Sequence, residues 1–190
     1  GYRDLAGFGR RPVKCSPEEV YADVLYQIGA LAAFCRAEGV RLRHVKPHGA
    51  LYNTAVADAV TAEAVAVAVR DFDRSLALFA PPGSALEAAG LAAGLRVVRE
   101  GFADRGYAAD GGLLPRSHPG AVLTDPDQAA AQARQIACQG TVTVSTGQVV
   151  AVPAGTLCVH GDHPHVVLVL RRIREELATA GVRVAPPHAG

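Results

Sequence analysis

The sequence predicts an α/β protein with a parallel sheet, and within that class a β/α barrel. Three observations point there. Short apolar, strand-like runs alternate with longer segments of helical periodicity, and a tight hairpin is expected only at 141–152; strands joined through helices run parallel. Hydrophobic residues make up 49% of the chain and charged residues 19%, a balance that supports a packed core. Polar clusters fall just after predicted strands, where barrel enzymes build their sites. An open doubly wound sheet fits the alternation too, and the placement of the polar clusters decides for the barrel. The 190 residues read as a single domain, 1–190.

Residues 1–15 read as a glycine-broken loop. Ser16-Pro17-Glu18-Glu19 is a capping box with proline at the first helical position, followed by Val20, Val24, Ile28, Leu31 and Cys35 at helical spacing and Gly39 as the stop. A short buried strand is expected over Val40–Lys46, a helix over Ala55–Arg70 and an apolar strand over Leu76–Ala80. Ser84–Ala93 reads as a helix and Leu95–Arg99 as a strand. The polar loop 101–124 is long enough to suggest a functional role. Asp125 opens a helix to about Cys138, and 141–145 with 148–152 reads as a hairpin around Thr146-Gly147. Thr156–His160 is a further strand and His163–Ala180 the last helix.

Net charge is +1, which gives no electrostatic argument for nucleic acid or an anionic membrane as partner. No apolar run approaches the ~20 residues of a membrane span, and no signal peptide is recognisable. Cys15, Cys35, Cys138 and Cys158 fit no zinc spacing and read as reduced, mostly buried thiols of a cytoplasmic protein. The chain has no methionine and begins at Gly1, which points to a sequence without its natural start. No G-x-x-x-x-G-K-[ST] or G-x-S-x-G occurs, so neither a P-loop nor a serine-hydrolase elbow is expected.

Four clusters carry the candidate chemistry: Gly1–Asp4, Lys46–Asn53, Asp104–Tyr107 running on to Arg116–His118, and His160-Gly161-Asp162. Lys46, one of two lysines, ends a predicted strand, where a cation can bind an anion or exchange a proton; a core ion pair is the plainer alternative. His48 suits a general base, a ligand or a capping group. His44 precedes it by four residues on a strand, a spacing that builds no metal pair, and reads as structural. Arg105 beside Asp104 suits either an internal ion pair or a substrate carboxylate, and Arg116 could bind the latter as well. Asp162 is either a helix N-cap or a member of the site with His160. His163 and His165 are expected to be exposed on the helix.

The string Arg43–Asn53, the stretch Phe102–Tyr107 with Pro115-Arg116-Ser117, and Cys158–Asp162 resemble signatures of the LamB/YcsF family. Gly7–Arg11 and Tyr26–Leu31 match it as well, in the same order and over essentially the whole chain. The resemblance implies a β/α barrel of the glycoside hydrolase/deacetylase type, incomplete here because N-terminal strands of the family pattern are missing. It implies one component of an ATP-dependent 5-oxoprolinase, which opens 5-oxoproline to L-glutamate with two partner subunits, B and C. On that reading Lys46, His48, Asp104, His160 and Asp162 are the candidate catalytic residues, and Asn53, Arg105 and Arg116 the candidate substrate-binding residues. The nucleotide site would be unconventional or on a partner. The alternatives are a metal-dependent deacetylase, with His48 and His160 among the ligands of a divalent ion, and a non-catalytic scaffold subunit.

Overall fold

The computed structural model describes residues 1–162 and 164–186 and divides into two units, Gly1–Val98 and Arg99–Pro186. In the first unit the capping box forms as written. Ser16 Oγ accepts the Glu19 N–H at 3.3 Å, and the Glu19 carboxylate accepts the Ser16 N–H at 2.8 Å, an arrangement that stabilises a helix start by about 1 kcal/mol. Helix α1 (Pro17–Ala37) buries Val20, Val24 and Ile28, while Leu31 stays exposed. Gly39, at φ +67°, supplies the left-handed turn after the helix.

Strand β1 is only His44–Val45, with His44 exposed and Val45 half-buried, so the expected buried strand over 40–46 is corrected. It is a sheet edge, paired on one side, with β2, which leaves it partly in solvent. The expected single helix over 55–70 is two helices, α2 (Gly49–Ala57) and α3 (Ala59–Phe72). Asp58 between them is extended, and its carboxylate accepts the Thr61 N–H at 2.8 Å. An aspartate in an alanine-rich run gains more by capping a new helix than by continuing the old one.

Strand β2 (Ala77–Ala80) is buried throughout and pairs parallel with β1, His44 opposite Ala77. Helix α4 (Ala85–Ala92) starts at Ser84, whose Oγ accepts the Glu87 N–H at 3.1 Å. A Cβ at Gly90 would lie 2.7 Å from Val97, so only glycine lets this helix close on the strand. Val65, Val69, Leu76, Leu78 and Leu86 form the fully buried heart of this unit; each such side chain contributes about 1.5–3 kcal/mol.

Strand β3 (Arg96–Phe102) contains the boundary between the units and runs three residues beyond the expected Arg99. Gly101, which read as the start of the loop, and Glu100 before it are buried strand residues. At Gly101 a Cβ would crowd Ala154 and Ile136 at 3.1 Å.

In the second unit Asp125 caps α5 (Pro126–Gln139), accepting from the Asp127 and Gln128 N–H groups, and Gly140 ends it in the left-handed conformation. The hairpin is observed as antiparallel β4 (Thr141–Thr143) and β5 (Val149–Ala151). Strand β6 (Thr156–Cys158) pairs parallel with β3, Phe102 opposite Cys158. Helix α6 (Val166–Thr179) packs Val169, Ile173 and Leu177 against Ala103, Ala129, Ala130 and Ala133. It begins three residues later than expected, with His165 at the N-cap, so Asp162 does not cap it. His163 lies outside the described residues, and His165 is exposed. All four cysteines are free, but none is buried as expected: Cys138 is exposed and the others half-buried.

Candidate functional site: a carboxylate-oriented histidine at the strand exits

Phe102 closes β3, and two residues later Asp104 is fully buried. His160 stands two residues past the end of β6, the partner strand of β3. Strand pairing therefore brings both chain exits together. The Asp104 carboxylate accepts the His160 backbone N–H at 2.6 Å and its Nδ1 at 3.0–3.1 Å. The histidine ring stacks on Phe102 at 5.9 Å between centroids. Burial works to raise the Asp104 carboxyl, but the hydrogen bonds from the His160 side chain and backbone, with the attraction of the imidazolium, outweigh it and hold the carboxyl below its ordinary value. A carboxylate only accepts, so His160 presents Nδ1–H to it, and in the neutral ring Nε2 is the acceptor nitrogen.

Arg105 is buried and donates from Nε to the Ala121 carbonyl at 2.8 Å and from Nη2 to the Leu114 carbonyl at 2.6 Å. It ties down the long loop after β3. The Gln132 amide reaches the Phe102 and Arg105 carbonyls at 2.8 Å, and Tyr107 Oη accepts the Phe102 N–H at 2.7 Å. Burial pushes the Tyr107 phenol well above its ordinary range. Sequence reasoning assigned no role to Tyr107 or Gln132; their partners are backbone groups that only the fold identifies. Arg116 and Asp162 face each other at 3.4 Å on the surface of this unit, both partly exposed.

In the first unit Lys46 is half-buried just past β1, with Nζ 5.6 Å from the centre of the Tyr52 ring. His48 is exposed at the N-cap of α2, and its Nε2 lies 2.7 Å from the Phe8 carbonyl oxygen. Asn53 is exposed on α2. His44 stacks on Phe79 at 4.1 Å, the structural place expected for it. Asp4, which ends the first of the four polar clusters, is buried and held by Arg11. The cavity of about 920 Å³ in this unit lies elsewhere, before the strands, lined by Arg36, Arg41, Arg43, Arg74 and Arg96. Barrel folds use that strand end for stability and the other for chemistry.

Among the described residues no group of three or more His, Cys, Asp and Glu side chains is arranged to hold a metal ion. Among them also, no helix is long and apolar enough to cross a membrane.

Parallel strands with helices between them, and a histidine paired with a buried carboxylate at the strand exits, define an α/β protein of the barrel class. The chain belongs to the LamB/YcsF family, whose model matches residues 1–189. It is 79% identical over 189 residues to the 5-oxoprolinase A subunit of Symbiobacterium thermophilum, covering 100% of this chain and 72% of that protein. The 5-oxoprolinase A subunit of Thermus thermophilus is 54% identical over 184 residues, covering 97% and 74%. The crystal structure of a lactam utilization protein from Thermus thermophilus matches with a TM-score of 0.91 at 53% identity, over 97% of this chain and 73% of that one. The fold class is the expected one, part of a β/α barrel.

Proposed function

We propose that this chain is the A component of an ATP-dependent 5-oxoprolinase, and that it takes part in opening the lactam ring. Water adds across the ring C–N bond, giving the side-chain carboxylate and free amine of L-glutamate. The amide is unreactive, and ATP hydrolysis to ADP and phosphate supplies the driving force. The reading is supported by relatives of 79% and 54% identity that are named for this component of 5-oxoprolinase. The observation that carries the chemistry is the Asp104–His160 pair, a histidine held by a buried carboxylate so that one nitrogen is presented for proton transfer.

His160 and His48 are the groups that move protons, with Asp104 orienting the first. Lys46 binds the substrate carboxylate or a phosphorylated intermediate. Arg116 and Asn53 are further contacts for substrate, and Asp162 acts through Arg116. ATP binds with the help of partner subunits B and C, in the cytoplasm. The test is a 5-oxoproline and ATP assay with the full-length chain and both partners, each omitted in turn. Glutamate formation is expected only with all three, and lost in His160→Ala. Full turnover from the partners alone would overturn the reading.

A further inference from the structure

We propose that Asp4 is a positioning residue for His48, and that His48 works through its Nδ1 nitrogen; this rests on the proton-moving role just given to His48. The geometry begins in the loop 4–11. Asp4 is buried, and its carboxylate accepts the Gly7 N–H at 3.0 Å and the Arg11 Nε at 3.0–3.1 Å, with Arg11 Nη2 as a further donor. The Asp4 carbonyl accepts the Gly9 N–H at 2.9 Å. The clamp leaves no space at Gly7, where a Cβ would fall on the Asp4 carboxylate.

This closed loop holds Phe8 at φ +53°, a conformation that a bulky side chain adopts only when its surroundings impose it. The result is that two consecutive carbonyls are presented to the chain after β1. Phe8 O meets His48 Nε2 at 2.7 Å, and Gly9 O accepts the Ala50 N–H at 2.8 Å. The Phe8 ring meets the His48 ring edge-on at 4.9 Å. Gly49, at φ +61°, completes the fit, since a Cβ there would lie 2.4 Å from Gly9 O.

A backbone carbonyl can only accept. Nε2 of His48 must therefore carry the hydrogen, and in the neutral ring Nδ1 is the acceptor. His160 is held in the opposite sense, with Nδ1–H on Asp104. The two histidines thus present different nitrogens, and Asp4 secures the choice at His48 through Phe8 without touching it.

Long-range proton–nitrogen correlation NMR on the chain with labelled histidine, above the histidine titration, reads this directly. His48 is expected as the Nε2–H tautomer and His160 as Nδ1–H. Asp4→Asn and the milder Arg11→Lys, each checked for an unchanged fold by the remaining resonances, should move His48 toward a mixture while His160 stays. In the full-length enzyme with its partners, Asp4→Asn should lower kcat about tenfold or more, within the range of one acid–base group, with little change in KM. His48 found as Nδ1–H, or unmoved in both folded variants, overturns the proposal. If the partners show no lactam turnover at all, the functional reading fails, while the tautomer result still decides the role of Asp4.

Discussion

The Asp104 carboxylate takes both the backbone N–H and the Nδ1 of His160, at 2.6 Å and 3.0 Å, from a fully buried position. One carboxylate thereby fixes where the β6 exit runs and which way the imidazole faces. Asp104→Asn keeps the shape and removes the charge. It should cost about 1–3 kcal/mol of stability, the penalty for weakening buried charge-assisted hydrogen bonds. In the complete enzyme kcat should fall by roughly 10²–10⁴, the contribution of a correctly held acid–base group. A variant as active as wild type would remove His160 from the proton-transfer role.

The same pair sets an acid limb. The folded Asp104 carboxyl lies below its ordinary value, so the stability it contributes is fully present above the unfolded carboxyl range, about 3.9. It is lost as pH falls through the lower folded value. Melting temperature against pH should therefore drop less steeply on the acid side in Asp104→Asn than in wild type.

Arg105 read equally well as a substrate ligand, and its partners now give it a structural task. Its guanidinium joins the Ala121 and Leu114 carbonyls across the loop that follows β3. Arg105→Lys cannot span both. It should lose about 1.5–3 kcal/mol, the range for hydrogen bonds to a charged group. Limited proteolysis should then cut within 106–120 faster than in wild type. A variant with an unaltered loop and a raised KM would instead place Arg105 on the substrate.

What was legible in the sequence was local. Ser16 and Glu19 carry their cap within four residues, and Asp125 does the same for α5. Asp58 was a legible signal that the alanine-rich pattern around it masked. Gly101 read as the start of a loop because the side chains that crowd it, Ile136 and Ala154, lie far along the chain. The Asp104–His160 pairing joins residues 56 apart through strand register, and no spacing rule encodes it. The partner of Asp4 was not legible for another reason: nothing in a glycine-rich loop singles out Arg11 as the group that holds the carboxylate.

Lys46 offers a sharp division between function and stability. Nζ sits 5.6 Å from the Tyr52 ring centre, a contact worth about 0.5–1 kcal/mol at a partly exposed site. Melting temperature and turnover are to be measured on the same Lys46→Ala preparation. In the complete enzyme the substitution should lower kcat/KM by about one to two powers of ten, as expected for losing a charge-assisted contact. A variant that is strongly destabilised yet keeps its specific activity would make Lys46 a core ion-pair partner.

Asp4 and Arg11 predict a second acid transition, at lower pH than an unperturbed carboxylate would give. The Arg11 hydrogen bond, ahead of the Gly7 N–H and the arginine charge, holds the Asp4 carboxyl at about 2, against the upward push of burial. A depressed folded value means that the clamp's stabilisation is complete above the unfolded range, about 3.9, and disappears as pH falls through about 2. Between those values the loop 4–11 should remain closed on His48. Arg11→Gln removes the main cause, so the Asp4 carboxyl should rise toward its ordinary value and the loop should open nearer pH 4, about where a free carboxylate titrates. Carboxyl-directed NMR titration of Asp4, with the His48 ring signals followed in parallel, tests this. An Asp4 midpoint unchanged in Arg11→Gln would mean that the Gly7 N–H, not the guanidinium, governs the carboxylate.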